Sequence, residues 1–322
     1  MEAPPASEGP RYAVVVATKD RGAKIVALLE SIALSDTDSY ELVVVDQSPA
    51  DDTEKAIAPF LADPRITYVR SNVAGTSRAR NRGIAMTTAP YIVITDDDCI
   101  VPANWLTEIC RPFETHATVG VVFCNVEPVP VTELGVTPQV HFPANRVIMS
   151  VRDVWSTSSH GLALGAGMAI RRAMLADVKG FDEVLGPGAT FPAAEDNDLA
   201  WRGLLRGWWT YHSTDVAVIH DGFRPISELR GLVIRDFFGV GGTAAKYLRA
   251  RRWQVLRLLL SWIVHFGIVE PTRDVLARRR PRGLRRPYML LRGVARGLRT
   301  PFDPATMCYR VAGSPIAARA AP

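Results

Sequence analysis

Tyr91-Ile92-Val93-Ile94-Thr95-Asp96-Asp97-Asp98 reads as an apolar strand that ends in three consecutive carboxylates. Adjacent carboxylates repel one another unless a cation is shared among them. A strand end projects them into the crevice where an α/β sheet usually takes its ligand. Hard carboxylate oxygens suit Mg²⁺ or Mn²⁺, which commonly bind through one or two carboxylates plus substrate phosphates. The stretch therefore points to a metal–diphosphate site; the competing reading is a solvated acidic turn.

Working outward, the upstream sequence alternates strands and helices. Tyr12 to Ala17 reads as a buried strand, and Ile25, Leu28, Leu29 and Ile32 fall at helical spacing. Glu41 to Val45 is a second apolar strand ending at Asp46, followed by a turn and a helix over Thr53 to Leu61. Ile66 to Arg70 is a third strand, and Gly75 to Met86 a helix. Elements of this length in this order imply βαβ units and a mainly parallel sheet. No Gly-x-Gly-x-x-Gly follows the first strand, so a dinucleotide site of the usual kind is not expected.

Downstream the pattern loosens. We expect a helix over Pro102 to Phe113, a strand over Val119 to Val126, and a Gly-rich apolar strand or strand pair over Leu162 to Ile170. Arg172 to Val178 and Glu195 to Arg206 read as helices, and Ala217 to Ile219 as a short strand before His220. The Pro- and Thr-rich stretch Pro128 to Ser159 has no clear period.

The chain has 322 residues, a hydrophobic content of 48% and a charged content of 22%, which is a globular composition. Its net charge of +5 hides a split. Residues 1–225 hold 19 lysines and arginines against 28 aspartates and glutamates, whereas residues 226–322 hold 19 against 5. An acidic body with a basic tail suggests an anionic partner for the tail. No nucleic-acid motif accompanies the arginines, so nucleic acid is not expected. Leu258 to Val269 is too short to span a bilayer, but apolar helices beside Arg278-Arg279-Arg280 suit an anionic membrane surface over residues 255–299. The other reading is a helical cap on the catalytic part with solvated arginines. Cys99, Cys110, Cys124 and Cys308 show no Cys-x-x-Cys pairing, which fits reduced thiols better than disulfides or zinc. Met1 to Arg11 lacks a basic and apolar leader pattern, so the expected location is cytoplasmic, with possible peripheral attachment to the inner face of the cell membrane.

Four segments, taken in order, resemble the family 2 glycosyltransferases of GT-A fold over roughly residues 11–224. Val14 to Arg21 is similar to the family's opening strand followed by Pro-Thr-Tyr-Asn-Arg, with Ala17 and Lys19 in place of Pro and Tyr. Val43-Val44-Val45-Asp46-Gln47-Ser48 resembles Val-Val-Asp-Asp/Asn-Ser, and Gly75 to Gly83 resembles Gly-x-x-x-Ala-Arg-Asn-x-Gly. Asp96 and Asp98 occupy the fixed places of the Asp-x-Asp motif.

The resemblance implies a GT-A sheet flanked by helices, with a nucleotide-binding half (11–126), an acceptor-binding half (127–225), a flexible N-terminus (1–10) and a basic helical C-terminal region (226–322). It also implies roles for individual residues. Ala17, Thr18, Asp46, Gln47, Arg78, Arg80, Asp96 and Asp97 would line the nucleotide-sugar. Gly165, Ala166 and Gly167 would form a small-residue loop beside the sugar and acceptor, where close backbone approach favours glycine. Asp98, with Asp96 and His220, would hold Mn²⁺ or Mg²⁺. Glu195-Asp196-Asn197-Asp198-Leu199 is similar to the family's Glu-Asp-x-Asp-Leu, so Asp196, beside Glu195, would be the general base of an inverting transfer from a nucleotide-diphosphate sugar to an acceptor hydroxyl. Such a transfer would serve polysaccharide or glycoconjugate synthesis. Two rivals are a sugar-1-phosphate nucleotidyltransferase, for which Thr18 to Gly22 is a poor phosphate loop, and a non-catalytic scaffold at the membrane, which would not need both carboxylate groups.

Overall fold

The computed structural model describes residues 9–130, 135–154, 164–254, 260, 263–280 and 284–310. Four parallel strands form one half of the central sheet: β1 (Tyr12–Thr18), β2 (Tyr40–Asp46), β3 (Ile66–Arg70) and β4 (Tyr91–Asp96), in the order β3-β2-β1-β4. Val14, Val15, Val16, Leu42, Val44, Ile92 and Ile94 are fully buried, which is why these strands read as continuous apolar runs. Each such side chain contributes about 1.5–3 kcal/mol on burial. Helices α1 (Gly22–Ala33), α2 (Asp52–Ile57) and α3 (Thr76–Ala85) make the crossovers. Thr18 pairs with Asp46, and Ala17 with Asp96, so three motif ends share one edge of the sheet.

The second half of the sheet is mixed rather than parallel. A two-residue strand β5 (Cys99–Ile100) follows the acidic turn, and α4 (Trp105–Thr115) leads into β6 (Val119–Pro128). Two strands were not expected, β7 (Gly135–Val136) and β8 (Arg146–Ile148); they precede the short helix α5 (Val151–Val154). The expected strand over Leu162 to Ile170 is a 3₁₀ turn, Gly165–Gly167, followed by β9 (Met168–Arg171); Leu162 itself lies outside the described residues. Strand β9 inserts antiparallel between β4 and β6. Helices α6 (Arg172–Val178) and α7 (Glu195–Leu205) then precede β10, which runs the full length Trp209–His220 rather than only Ala217 to Ile219. The polar run Thr210 to Asp215 hides this strand from its hydropathy, and the register shift between Ser213 and Ala217 breaks its period.

The basic region is packed onto this body. Helix α8 (Ile226–Arg249) crosses the helix Arg285–Arg299 with the backbones nearly touching. A Cβ at Gly241 would lie 2.1 Å from the Leu290 carbonyl oxygen, and one at Gly293 2.2 Å from that of Phe238. Phe237, Tyr247, Leu290, Phe302 and Tyr309 share one buried cluster with Phe123, Ile170 and Phe181. The boundary expected near residue 225 therefore falls inside a common core. Lys246 Nζ, fully buried, lies 2.7 Å from both Asp182 and Asp198, and Arg202 closes the network at 2.9 Å from Asp198. The four cysteines are buried and free. No helix among the described residues is long and apolar enough to cross a membrane. Part of the 255–299 segment, residues 255–259, 261–262 and 281–283, lies outside the described residues.

Candidate active site

The acidic turn after β4 splits into three environments. Asp97 is buried, accepts a hydrogen bond from Thr18 Oγ1 at 2.6 Å, and takes Arg21 Nη1 at 2.8 Å. Burial raises its pKa, against the pull of Thr18 and Arg21. Asp98 shares the same Arg21 nitrogen through Oδ2 at 2.8 Å. Its Oδ1 is buried without a hydrogen bond and has His220 Nε2 3.1 Å away as an ionic neighbour. Burial alone would raise the Asp98 pKa, but the His220 and Arg21 cations hold it at about 2. Asp96 is the half-buried member and pairs with Arg80 at 3.3 Å.

The position of His220 follows from the strand pairing. It sits opposite Cys99 in the β10–β5 pair, and the Asp221 amide donates to the Asp98 carbonyl at 2.8 Å. Pro138 carbonyl oxygen lies 3.3 Å from Nδ1, which suits a proton there and aims Nε2 at Asp98. Burial would lower the His220 pKa, yet its contact with Asp98 raises it overall. The backbone at Gly222 passes so close that a Cβ there would lie 2.3 Å from the imidazole.

The donor set fits a hard divalent cation. The buried Asp98 Oδ1 and the His220 imidazole nitrogen lie 3.1 Å apart, with no other hydrogen-bond partner on that oxygen among the described residues. Two neighbouring ligands of an octahedral ion with bonds of 2.0–2.1 Å lie about 3 Å apart. Cys99 Sγ belongs to the same convergent group, with ligand atoms within 4.8 Å. Its thiol is pushed well up by burial, so it stays protonated and is a poor match for Mg²⁺ or Mn²⁺. Asp96 does not join that group. Its carboxylate turns to Arg80, which departs from the metal role expected for it.

Across the crevice, α7 carries Glu195 and Asp196 at its N-terminus, where the helix dipole favours negative charge. Asp196 Oδ1 receives Arg80 Nη1 at 2.6 Å, and Glu195 lies 3.5 Å from the same nitrogen. Arg80, with only 3% of its side chain exposed, thus bridges Asp96 of the donor-side motif to the carboxylate pair on α7. Gly83, one turn along α3, allows this. A Cβ there would meet Val15 at 2.5 Å, so glycine lets α3 sit close against β1. Burial raises both Glu195 and Asp196 above the usual carboxylate range; the Asp196 charge raises Glu195 further, and Arg80 opposes the rise in each. Gly165 backs onto Asp196, and a Cβ there would lie 2.4 Å from Oδ2. Ala166 is buried, and a Cβ at Gly167 would meet Cys124 Sγ at 2.7 Å, so the whole turn requires small residues.

Several expected nucleotide contacts are engaged within the protein. Arg80 is held by three carboxylates, so its guanidinium is committed within the protein; Arg78 meets Glu183 through Nε at 3.2 Å and stays part-exposed. Asp46 is fully buried and accepts from the Ser48 amide at 2.8 Å and from Tyr68 at 2.8 Å, which makes it a support beneath the strand end. Gln47 donates through Nε2 to the carbonyls of Val73 and Gly75. Two carbonyl partners fix the amide orientation and leave its own carbonyl as an acceptor. Ala17 is half-buried, and Thr18 is committed to Asp97. Arg21, which joins Asp97 to Asp98, was missed; its place at the end of the opening motif was the available signal.

A parallel half-sheet bearing an Asp-x-Asp turn, joined to a mixed half-sheet that supplies an acidic helix start, defines a GT-A glycosyltransferase fold. The sequence profile described as glycosyl transferase family 2 matches residues 13–178, more than half of the chain, and the chain belongs to that family. A PGL/p-HBAD biosynthesis glycosyltransferase of Mycobacterium bovis is 27% identical over 121 residues, covering 36% of this chain and 47% of the relative. Glycosyltransferase GlyG of Streptococcus pneumoniae is 30% identical over 95 residues, covering 29% of this chain and 32% of the relative. The matched region therefore spans about half or less of these relatives. Among solved structures, the mannosyltransferase PcManGT from Pyrobaculum calidifontis, in complex with GDP-Man and Mn²⁺, matches with a TM-score of 0.60 at 20% identity, over 92% of this chain and 89% of that one. S. aureus TarS 1-349 matches with a TM-score of 0.53 at 19% identity, over 66% of this chain and 60% of that one. At these identities the likeness shows the fold.

Proposed function

We propose that the protein transfers a sugar, with inversion, from a nucleotide-diphosphate donor to an acceptor hydroxyl, using a divalent metal. The observation that carries this reading is the Arg80 bridge, which ties Asp196 to Asp96 of the acidic turn. Asp98 Oδ1 and His220 Nε2 would hold the cation. When bound, it offsets negative charge on the leaving diphosphate as a Lewis acid. The nucleotide lies along the edge made by Ala17, Thr18 and Gln47, with the Gln47 carbonyl facing the base. Solved neighbours with UDP-GlcNAc and GDP-Man lend support to a nucleotide-sugar donor.

Asp196 removes the acceptor proton as the oxygen attacks the anomeric carbon. Arg80 opposes the rise that burial imposes on the Asp196 carboxyl and holds its Oδ1, while Oδ2 lies against the Gly165 turn on the acceptor side. The Gly165 turn brings the acceptor side close. Burial and the Asp196 charge push the Glu195 pKa up, which favours its protonated form and limits repulsion within the pair. The basic C-terminal helices, with Leu276 79% and Ile268 57% exposed beside Arg278 to Arg280, support contact with an anionic membrane surface at the cytoplasmic face.

The test is Asp196→Asn. Metal-dependent hydrolysis of nucleotide-sugars should fall by about 10²–10⁴, with donor affinity largely kept. Near-normal turnover would remove Asp196 from the mechanism.

A further inference from the structure

The far end of α7 meets a second cavity, of about 540 Å³, which the transfer reading does not use. Asp196 and Leu205 are nine residues apart, so this cavity lies about 14 Å along the helix from the proposed base. Its size is in the range of small-ligand pockets. Leu205 and Met307 contribute apolar lining, and four arginines, Arg206, Arg249, Arg251 and Arg252, line the same space.

These cations are poorly compensated. Arg206 pairs with Asp177 at 3.2 Å and donates to the Ala305 carbonyl at 2.6 Å. Arg249 donates to the carbonyls of Gly297 and Thr300 and lies over the Phe302 ring at 4.9 Å. Both are thereby fixed in direction. Arg251 and Arg252 are exposed, and among the described residues no carboxylate pairs with either of them or with Arg249. The nearby Asp303 accepts instead from Ala305 and Thr306.

The backbone carries a second sign. Helix α8 ends in two bonds, from the Arg252 amide to the Tyr247 carbonyl at 2.8 Å and from the Arg251 amide to that of Leu248 at 3.0 Å. This closing motif usually has glycine at the residue that turns left-handed. Here that residue is Arg251, with φ of 56°. An arginine in that conformation costs stability that glycine would not. The helix dipole accounts for a cation near the end of α8. It does not account for three of them around a cavity completed by Arg206 from another helix. Trp253, 62% exposed, follows directly.

We infer that this cavity binds a phosphate-bearing anion, held by the guanidinium forks of Arg206, Arg249, Arg251 and Arg252. Arginine forks match phosphate oxygens in pairs, and an anion would supply the negative charge that Arg249, Arg251 and Arg252 lack among the described residues. A soluble phosphate ester and the headgroup of an anionic lipid present the same chemistry. Trp253, exposed and next in sequence to Arg252, would give a lipid an additional contact.

The experiment uses the full chain in EDTA, which disables a metal-dependent diphosphate site, and compares inorganic phosphate with chloride at equal ionic strength by thermal shift and calorimetry. A parallel arm measures flotation with phosphatidylcholine vesicles with and without phosphatidylglycerol. The variant is Arg251→Gly with Arg252→Ala. Glycine suits the left-handed turn, so the variant should melt no lower than wild type without ligand. Phosphate should stabilise the wild type and bind the variant at least about tenfold more weakly. Flotation that requires phosphatidylglycerol and is lost in the variant assigns the site to a lipid headgroup; phosphate binding without flotation assigns it to a soluble ester. Equal phosphate affinity in both proteins, or no phosphate binding by the wild type, would overturn the inference. Flotation that the variant fully retains arises from the C-terminal helices and excludes a lipid headgroup as the occupant of this cavity.

Discussion

Gly165→Ala is a sharp probe of how the catalytic side is built. The added Cβ would stand 2.4 Å from Asp196 Oδ2 and 2.6 Å from its Cγ, whereas ordinary contact begins at 3.4 Å. Something must therefore move by about 1 Å. The backbone at Gly165 is not left-handed, so alanine is sterically acceptable there apart from this contact. Asp196 is anchored on its other oxygen by Arg80 at 2.6 Å, so the displacement pulls against that ion pair. A misplacement of this size in a reacting group costs about 10²-fold in rate. Overpacking costs about 1–3 kcal/mol of stability, a melting drop of several degrees for a chain of this size. The assay is metal-dependent release of nucleoside diphosphate from the donor, with donor affinity measured alongside. The expectation is kcat down by about two orders of magnitude with donor affinity changed only a few-fold. Wild-type kcat in a folded Gly165→Ala protein would refute the placement of Asp196 at the reacting centre.

Asp98→Asn should abolish stabilisation by Mn²⁺ and any metal-dependent donor binding in a thermal-shift titration, while the fold persists. The pH dependence follows from His220. Its pKa is raised from 6.5 in the fold, so the Asp98–His220 pair stabilises the metal-free protein fully below that unfolded value and loses its contribution as pH rises through the folded one. Metal needs the neutral imidazole, so stabilisation by Mn²⁺ should instead grow with pH, up to about tenfold in affinity per unit. Melting curves in EDTA and in Mn²⁺ should diverge with rising pH in the wild type and run parallel in His220→Asn. Lys246→Met leaves Asp182 and Asp198 buried without their shared cation, and denaturant unfolding should show a loss of about 3–5 kcal/mol.

The donor-side half of the fold was legible because its strands are buried on both faces and its helices keep an apolar stripe. Tyr12, Tyr40, Ile66 and Tyr91 begin their strands within a residue of the expected positions. The second half was less so. Strand β10 carries Thr210, His212 and Ser213 where alternation would have called for apolar residues, and β8 lies in a Pro-rich stretch. Within the site, the sequence showed which residue types occur but not which pairs form across the chain. Arg80 looks like a nucleotide ligand because its motif resembles the family's, the other reading being a helix-surface arginine paired to a carboxylate; the structure buries it among Asp96, Glu195 and Asp196. Its partners Glu195 and Asp196 lie more than 110 residues away. The same holds for Lys246, whose buried contact with Asp182 makes the basic C-terminal region part of the catalytic core.

The most direct test of the central claim is a thermal-shift screen of the wild type and Asp98→Asn against UDP-, GDP-, dTDP- and CDP-sugars, with and without Mn²⁺. A ligand that binds only the folded state raises its melting temperature. The account predicts that one class of nucleotide-sugar stabilises the wild type only when Mn²⁺ is present, and never stabilises Asp98→Asn. Equal stabilisation with and without metal, or in both proteins, would contradict it.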